Sequence, residues 1–127
     1  MIVFDWLRFL SLAERLATSQ DEEALRSAIS RAYYAAFHVA YAYVLTANRY
    51  PGRKRLRHEE VWGAFVDTPV FAEISIDVRG IRLMQRRHSA DYAAHFPERL
   101  PEKANEAIRD ARAIIDAVGR LSGSVGA

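Results

Sequence analysis

The sequence predicts an all-α protein, a bundle of four long helices with one short extra helix. Apolar residues recur at three- and four-residue intervals over long windows, as in amphipathic helices, and nowhere alternate as they do in half-buried strands. Half of the chain is apolar and 27% is charged, the balance of a folded globular protein rather than a disordered one. A chain of 127 residues is one domain of ordinary size. It buries enough surface on folding to need neither disulfide nor structural metal. No linker divides it, so residues 1–121 read as a single helical domain and 122–127 as a frayed tail.

The first helix is expected from about Phe4 to Ala17, where Trp6, Leu7, Phe9, Leu10, Leu12, Ala13 and Leu16 form a wide apolar face. Thr18-Ser19-Gln20-Asp21 breaks it, and Ser19 or Asp21 can cap the next helix. The second helix, about Glu22 to Ala47, carries no Gly or Pro and is apolar nearly all round in its later part. Such a helix must be covered on every side, which makes it central. Asn48 to Leu56 is a loop, with Pro51-Gly52 as its turn signal. A short helix comes next, from about Arg57 to Val66. A fourth spans about Glu73 to Ala94, and Gly80 inside it implies a close helix contact, since glycine there costs about 1 kcal/mol against alanine. Phe96-Pro97 and Pro101 bracket a turn, and the last helix runs from about Glu102 to Leu121.

The absence of cysteine removes disulfide frameworks, thiol nucleophiles and Cys-ligated zinc. No stretch reaches the length of uninterrupted apolar sequence that a membrane span needs. Met1 to Trp6 lacks the marks of a signal peptide, so the expectation is a cytoplasmic protein without membrane contact. Net charge is only +2, yet arginine outnumbers lysine sixteen to two and clusters. A planar guanidinium fork suits phosphate and stacks on bases, although a GC-rich genome gives the same bias.

One cluster is Arg49, Arg53, Lys54, Arg55 and Arg57, with Tyr50 beside it for stacking. Another is Arg79, Arg82 and Arg86, which share a helix face. Either reads as a phosphate-tracking surface or as a solvated face, and Glu59, Glu60 and Asp67 interrupt any continuous patch. His88, Asp91 and His95 have the spacing of a helical metal face, but Pro97 disfavours helix at that end, and no metal or other cofactor is assigned.

The most particular stretch is Ser30-Arg31-Ala32-Tyr33-Tyr34-Ala35-Ala36-Phe37-His38, since an arginine beside two tyrosines in a helix interior needs partners. With Arg57-His58-Glu59-Glu60-Val61 before Phe65, and Arg87-His88-Ser89-Ala90-Asp91-Tyr92, it makes three separated motifs in order. Together they resemble the HEPN domains, in the branch reading Ser-Arg-x-Tyr-Tyr-x-x-Phe-His and Arg-x-x-Ala-Asp-Tyr. The resemblance implies a HEPN-like bundle that forms a homodimer around a shared cleft. Many such proteins are toxins of toxin–antitoxin pairs and metal-independent endoribonucleases, restrained by a nucleotidyltransferase partner that in some pairs adenylates a tyrosine.

By that resemblance Arg87 grips an RNA phosphate, Asp91 orients it, and His58 or His88 moves the proton. Arg31 and Tyr34 brace the cleft, and Tyr92 stands where the modified tyrosine is expected; Arg82 and Arg86, from the basic helix face described above, are the further candidates for RNA or nucleotide binding. The chain departs from the family's Arg-x(4 to 6)-His element, because Tyr92 stands five residues beyond Arg87. The spacing alone also occurs at Arg82–His88, Arg31–His38 and Arg53–His58, none with Asn or Asp after its arginine. The alternative reading is therefore a non-catalytic HEPN module that binds nucleotide, RNA or the nucleotidyltransferase.

Overall fold

A computed structural model describes residues 3–70, 74–97 and 99–126, with side chains described as far as residue 122. Every regular element among the described residues is helical. Helix α1 is Leu7–Leu16, α2 Glu22–Thr46, α3 His58–Gly63, α4 Ile76–Tyr92 and α5 Leu100–Gly126. The all-α expectation therefore holds.

Local chemistry sets the boundaries. The Leu7 amide donates to Asp5 Oδ1 at 3.0 Å, which starts α1 later than the apolar pattern alone implied. Asp21 occupies the N-cap position of α2 in extended backbone, but neither expected capping bond forms, and Ser19 Oγ instead accepts the Asp21 amide at 3.0 Å. Glu22 and Glu23 lie in the first turn, where the helix dipole favours negative charge. At the start of α3, Glu60 reaches back to the Arg57 amide at 2.8 Å. Past Gly63 the chain tightens into three-residue hydrogen bonds, Phe65 N–H to Trp62 O and Val66 N–H to Gly63 O, so α3 stops short of the expected Val66. The expected start of α4 at Glu73 lies outside the described residues. Pro101 sits in the first turn of α5, a position that needs no amide donor, and so α5 begins before the expected Glu102. Of the tail expected over 122–127, Ala127 and the side chains of 123–126 lie outside the described residues.

Helix α2 is the axis of the bundle and packs against each of the other four helices. Its Ala28, Ala32, Ala35, Ala36 and Ala40 are fully buried, and such small side chains let neighbouring backbones approach. Tyr33, Trp62, Phe65, Ile76, Leu83 and Ile114 fill the space between α2, α3, α4 and α5. The close contact expected at Gly80 is present: a β-carbon there would stand 2.2 Å from the Trp62 indole. No described helix is long and apolar enough to cross a membrane.

Candidate functional site

Three helices build the site. The spacing of Ser30, Tyr33, Tyr34 and Phe37 turns all four toward the same flank of α2. Helix α3 sets His58 against that flank, and α4 adds the adjacent Arg87 and His88, with Asp91 one turn on from Arg87. Between α3 and α4 lies an open groove of about 680 Å³, lined by Arg57, His58, Glu59, Met84, Gln85, Arg87, His88 and Ser89.

Arg87 forms the groove's inner wall, with its side chain only 14% exposed. The guanidinium carbon stands 5.5 Å from the ring centres of both Tyr33 and Tyr34, a pair of cation–π contacts that hold the charge in place. Its nearest carboxylate, Asp91 Oδ2, is 3.6 Å away, too far for a hydrogen bond. Arg87 Nε is buried and has no hydrogen-bond partner among the described residues. The same Asp91 Oδ2 accepts a hydrogen bond from Ser30 Oγ at 3.3 Å.

His58 is half-buried, and its ring stacks on Phe37 at 4.1 Å with 14° between the planes. Its Nδ1 is 2.6 Å from the Tyr33 hydroxyl, and that hydroxyl also accepts Trp62 Nε1–H at 3.3 Å. Burial, with the Arg87 charge added to it, holds the His58 pKa below the ordinary imidazole value, against a smaller opposing pull from Glu59. The imidazole is therefore neutral at neutral pH. Burial pushes the Tyr33 hydroxyl far above the usual phenol range, so Tyr33 stays protonated.

The structure thus gathers His58, Arg87, Asp91 and Tyr34. His88 is exposed on the groove wall, its ring 4.9 Å from that of Tyr92, which is 69% exposed. Arg31 lies behind this group, over Phe9 at 4.7 Å and Tyr34 at 5.8 Å. Arg82 and Arg86 are elsewhere. Arg82 Nη2 grips both oxygens of Asp110 at 2.9 and 3.0 Å, Arg79 joins the same carboxylate at 3.0 Å, and Arg86 pairs with Glu106 at 3.1 Å. That arginine face turns toward the acidic residues of α5 rather than toward the groove.

The basic loop is partly neutralised as well. Arg53 binds Glu60 at 2.8 and 2.9 Å, Arg49 pairs with Asp67, and Tyr50 spends its hydroxyl on the Glu60 carbonyl at 2.8 Å. The Arg57 amide and the Arg53 guanidinium draw the Glu60 carboxyl down to about 2. Helix α4 ends at Tyr92, so His95 leaves the face that His88 and Asp91 share. No group of three potential metal ligands occurs among the described residues.

Tyr33, Ser30, Phe37 and Trp62 belong to the site although sequence reasoning gave them no role there. The first three lie in the motif that drew attention to α2. Trp62 gives no sequence signal, because its partner is 29 residues away.

A helical bundle whose groove sets an arginine beside a histidine, both backed by stacked aromatics, is the kind of protein this fold and site define. The HEPN domain model matches residues 7–121, and the chain belongs to the HEPN domain family. HEPN domains in general are nuclease or nucleotide-binding modules, and they commonly dimerise. Neither the curated proteins nor the solved structures give a match.

Proposed function

We propose that the protein is a HEPN module whose α3–α4 groove binds a phosphate of RNA or of a nucleotide, with Arg87 as the anchor. One observation carries this reading: the Arg87 guanidinium lines the groove, is held in place by two aromatic rings, and has its nearest carboxylate 3.6 Å from Nη1, out of hydrogen-bonding reach. Burying a guanidinium with its donors unfilled is costly, and a phosphate supplies paired, charge-assisted acceptors. Exposed Tyr92 and His88 at the groove's edge offer a surface on which a base can stack.

A second reading is favoured by the presence of His58 in the same groove. On that reading the protein is a toxin acting as a metal-independent endoribonuclease, in which Arg87 holds the scissile phosphate, Asp91 keeps Arg87 oriented, and His58 or exposed His88 moves the proton. Both readings take the protein as a homodimer partnered by a nucleotidyltransferase, and Tyr92 is exposed enough to accept an adenylate.

Incubation of the purified protein with a mixed RNA pool in the presence of a metal chelator separates the two. Binding with intact RNA after hours supports the module, and cleavage lost in Arg87→Ala and His58→Ala supports the nuclease. RNA and nucleotide arms run in parallel identify which phosphate source the groove prefers. No retention of either ligand would remove the proposal.

A further inference from the structure

The proton arrangement around His58 defines what that residue can do in the groove, and this inference rests on the phosphate-binding reading above. Trp62 Nε1 is a donor only, and it points at the Tyr33 hydroxyl at 3.3 Å. The same hydroxyl stands 2.6 Å from His58 Nδ1. One arrangement uses every proton: Trp62 donates to Tyr33, and Tyr33 donates its single proton to His58 Nδ1. The reverse, His58 Nδ1–H donating to Tyr33, would leave the buried Tyr33 proton without an acceptor among the described residues. We propose that Tyr33, braced by Trp62, is a positioning residue that fixes His58 in the Nε2–H tautomer, so that His58 meets the groove as a hydrogen-bond donor to an anion and not as a base.

A general base at this position would need a free lone pair on Nε2, and in this tautomer Nε2 carries the proton. Releasing that proton as an acid would require Nδ1 to take the Tyr33 proton and leave a buried tyrosinate. Burial of Tyr33 opposes that step. His58 Nε2–H and the Arg87 fork are then two donor groups on one groove, a pair suited to the non-bridging oxygens of a phosphate group. The protein accordingly retains RNA without cutting it through His58.

Two experiments test this on the full chain. Long-range proton–nitrogen NMR on labelled protein at neutral pH, with His58 assigned by its loss in His58→Gln, reads the tautomer with no ligand present. The expected wild-type spectrum has Nδ1 as the unprotonated nitrogen and Nε2 as the protonated one, with Nδ1 moving toward the tautomer-averaged position in Tyr33→Phe. A protonated Nδ1 in the wild type would overturn the proposal whether or not any ligand binds.

The second experiment measures RNA binding. The amide of Gln can replace an Nε2–H donor but not a base, so His58→Gln is expected to bind within about threefold of wild type while His58→Ala weakens about tenfold. Equal loss in both variants would overturn the donor role. Absence of RNA binding in the wild type would instead remove the phosphate reading and leave the tautomer result to stand or fall by itself.

Discussion

Gly80 of α4 lies flat against the Trp62 indole of α3, so close that any β-carbon would fall 2.2 Å from the ring. The contact seats Trp62 where its Nε1–H reaches Tyr33, and it lets α4 carry Arg87 up to the aromatic flank of α2. Alanine in place of glycine ordinarily gains about 1 kcal/mol in a helix. Here overpacking costs about 1–3 kcal/mol in addition to cancelling that gain, because the obstacle is a fully buried ring that cannot swing away. Gly80→Ala should therefore lower the urea midpoint. A stabilised variant would contradict the packing described for α3 and α4.

Arg26 closes the end of α4. Its Nη1 donates to the carbonyls of Ala90 at 3.1 Å and Ala93 at 2.6 Å, and its Nη2 to Ala94 at 3.4 Å, while Nε pairs with Glu22 at 2.9 Å. Ala90 lies in the last turn, where a helix leaves its carbonyls without partners, while Ala93 is the C-cap and Ala94 follows it. Arg26→Met keeps the stem and removes the donors, and should cost about 1–3 kcal/mol. Amide exchange should quicken in the last turn of α4, and unchanged exchange there would argue that water satisfies those carbonyls equally well.

Asp110 is 5% exposed and takes both Arg79 and Arg82. Asp110→Ala would leave two guanidinium groups beside a half-buried gap, with a loss of about 2 kcal/mol after allowing for the solvent that already reaches both arginines. Arg82→Ala should weaken stability but leave RNA binding within about twofold, since Arg82 is engaged away from the groove. A large binding defect in Arg82→Ala would restore that face as the nucleic-acid surface.

Acid should destabilise the fold in two stages. Burial is the main cause of the lowered pKa at both His58 and His38, whose ring stacks on Trp6 at 3.6 Å. Below the ordinary imidazole value of 6.5 the unfolded chain takes up protons that the folded chain refuses, so stability falls as pH drops through that value. Glu60, held at about 2 against an ordinary 4.5, adds a second loss as pH falls below 4.5. Urea unfolding at about pH 7.5 and about pH 5.5 reads the first stage, which should shrink in His58→Gln. Stability that is flat between those two conditions would contradict the burial of both imidazoles.

The helices were legible because each buries an apolar stripe at helical spacing, and α2 was legible as central because it has no polar face in its later half. Gly80 announced its contact by being costly where it stands. Helix ends were less legible, since they depend on distant or unusual partners: Arg26 for α4, Glu60 for α3, and Pro101 tolerated inside the first turn of α5. Arg87, His58 and Asp91, which the structure brings close together, all lie in the motifs on which the family likeness rests. What the arginines at 82 and 86 meet was not legible, because spacing places residues on a face without saying what that face packs against. Asp110 and Glu106, on a helix that comes after them in the chain, decide that question. Trp62 was invisible as a site residue for the same reason.

The central claim is that Arg87, on the wall of the groove, offers its guanidinium to a phosphate. The most direct test is an equilibrium titration of a short labelled RNA into wild type, Arg87→Ala and Arg87→Lys at fixed ionic strength. Loss of charge-assisted hydrogen bonds predicts at least about a tenfold weakening in Arg87→Ala, with partial recovery in Arg87→Lys, which keeps the charge but loses the fork. Equal affinity across the three proteins, with helical content unchanged, would show that the groove is not where phosphate binds.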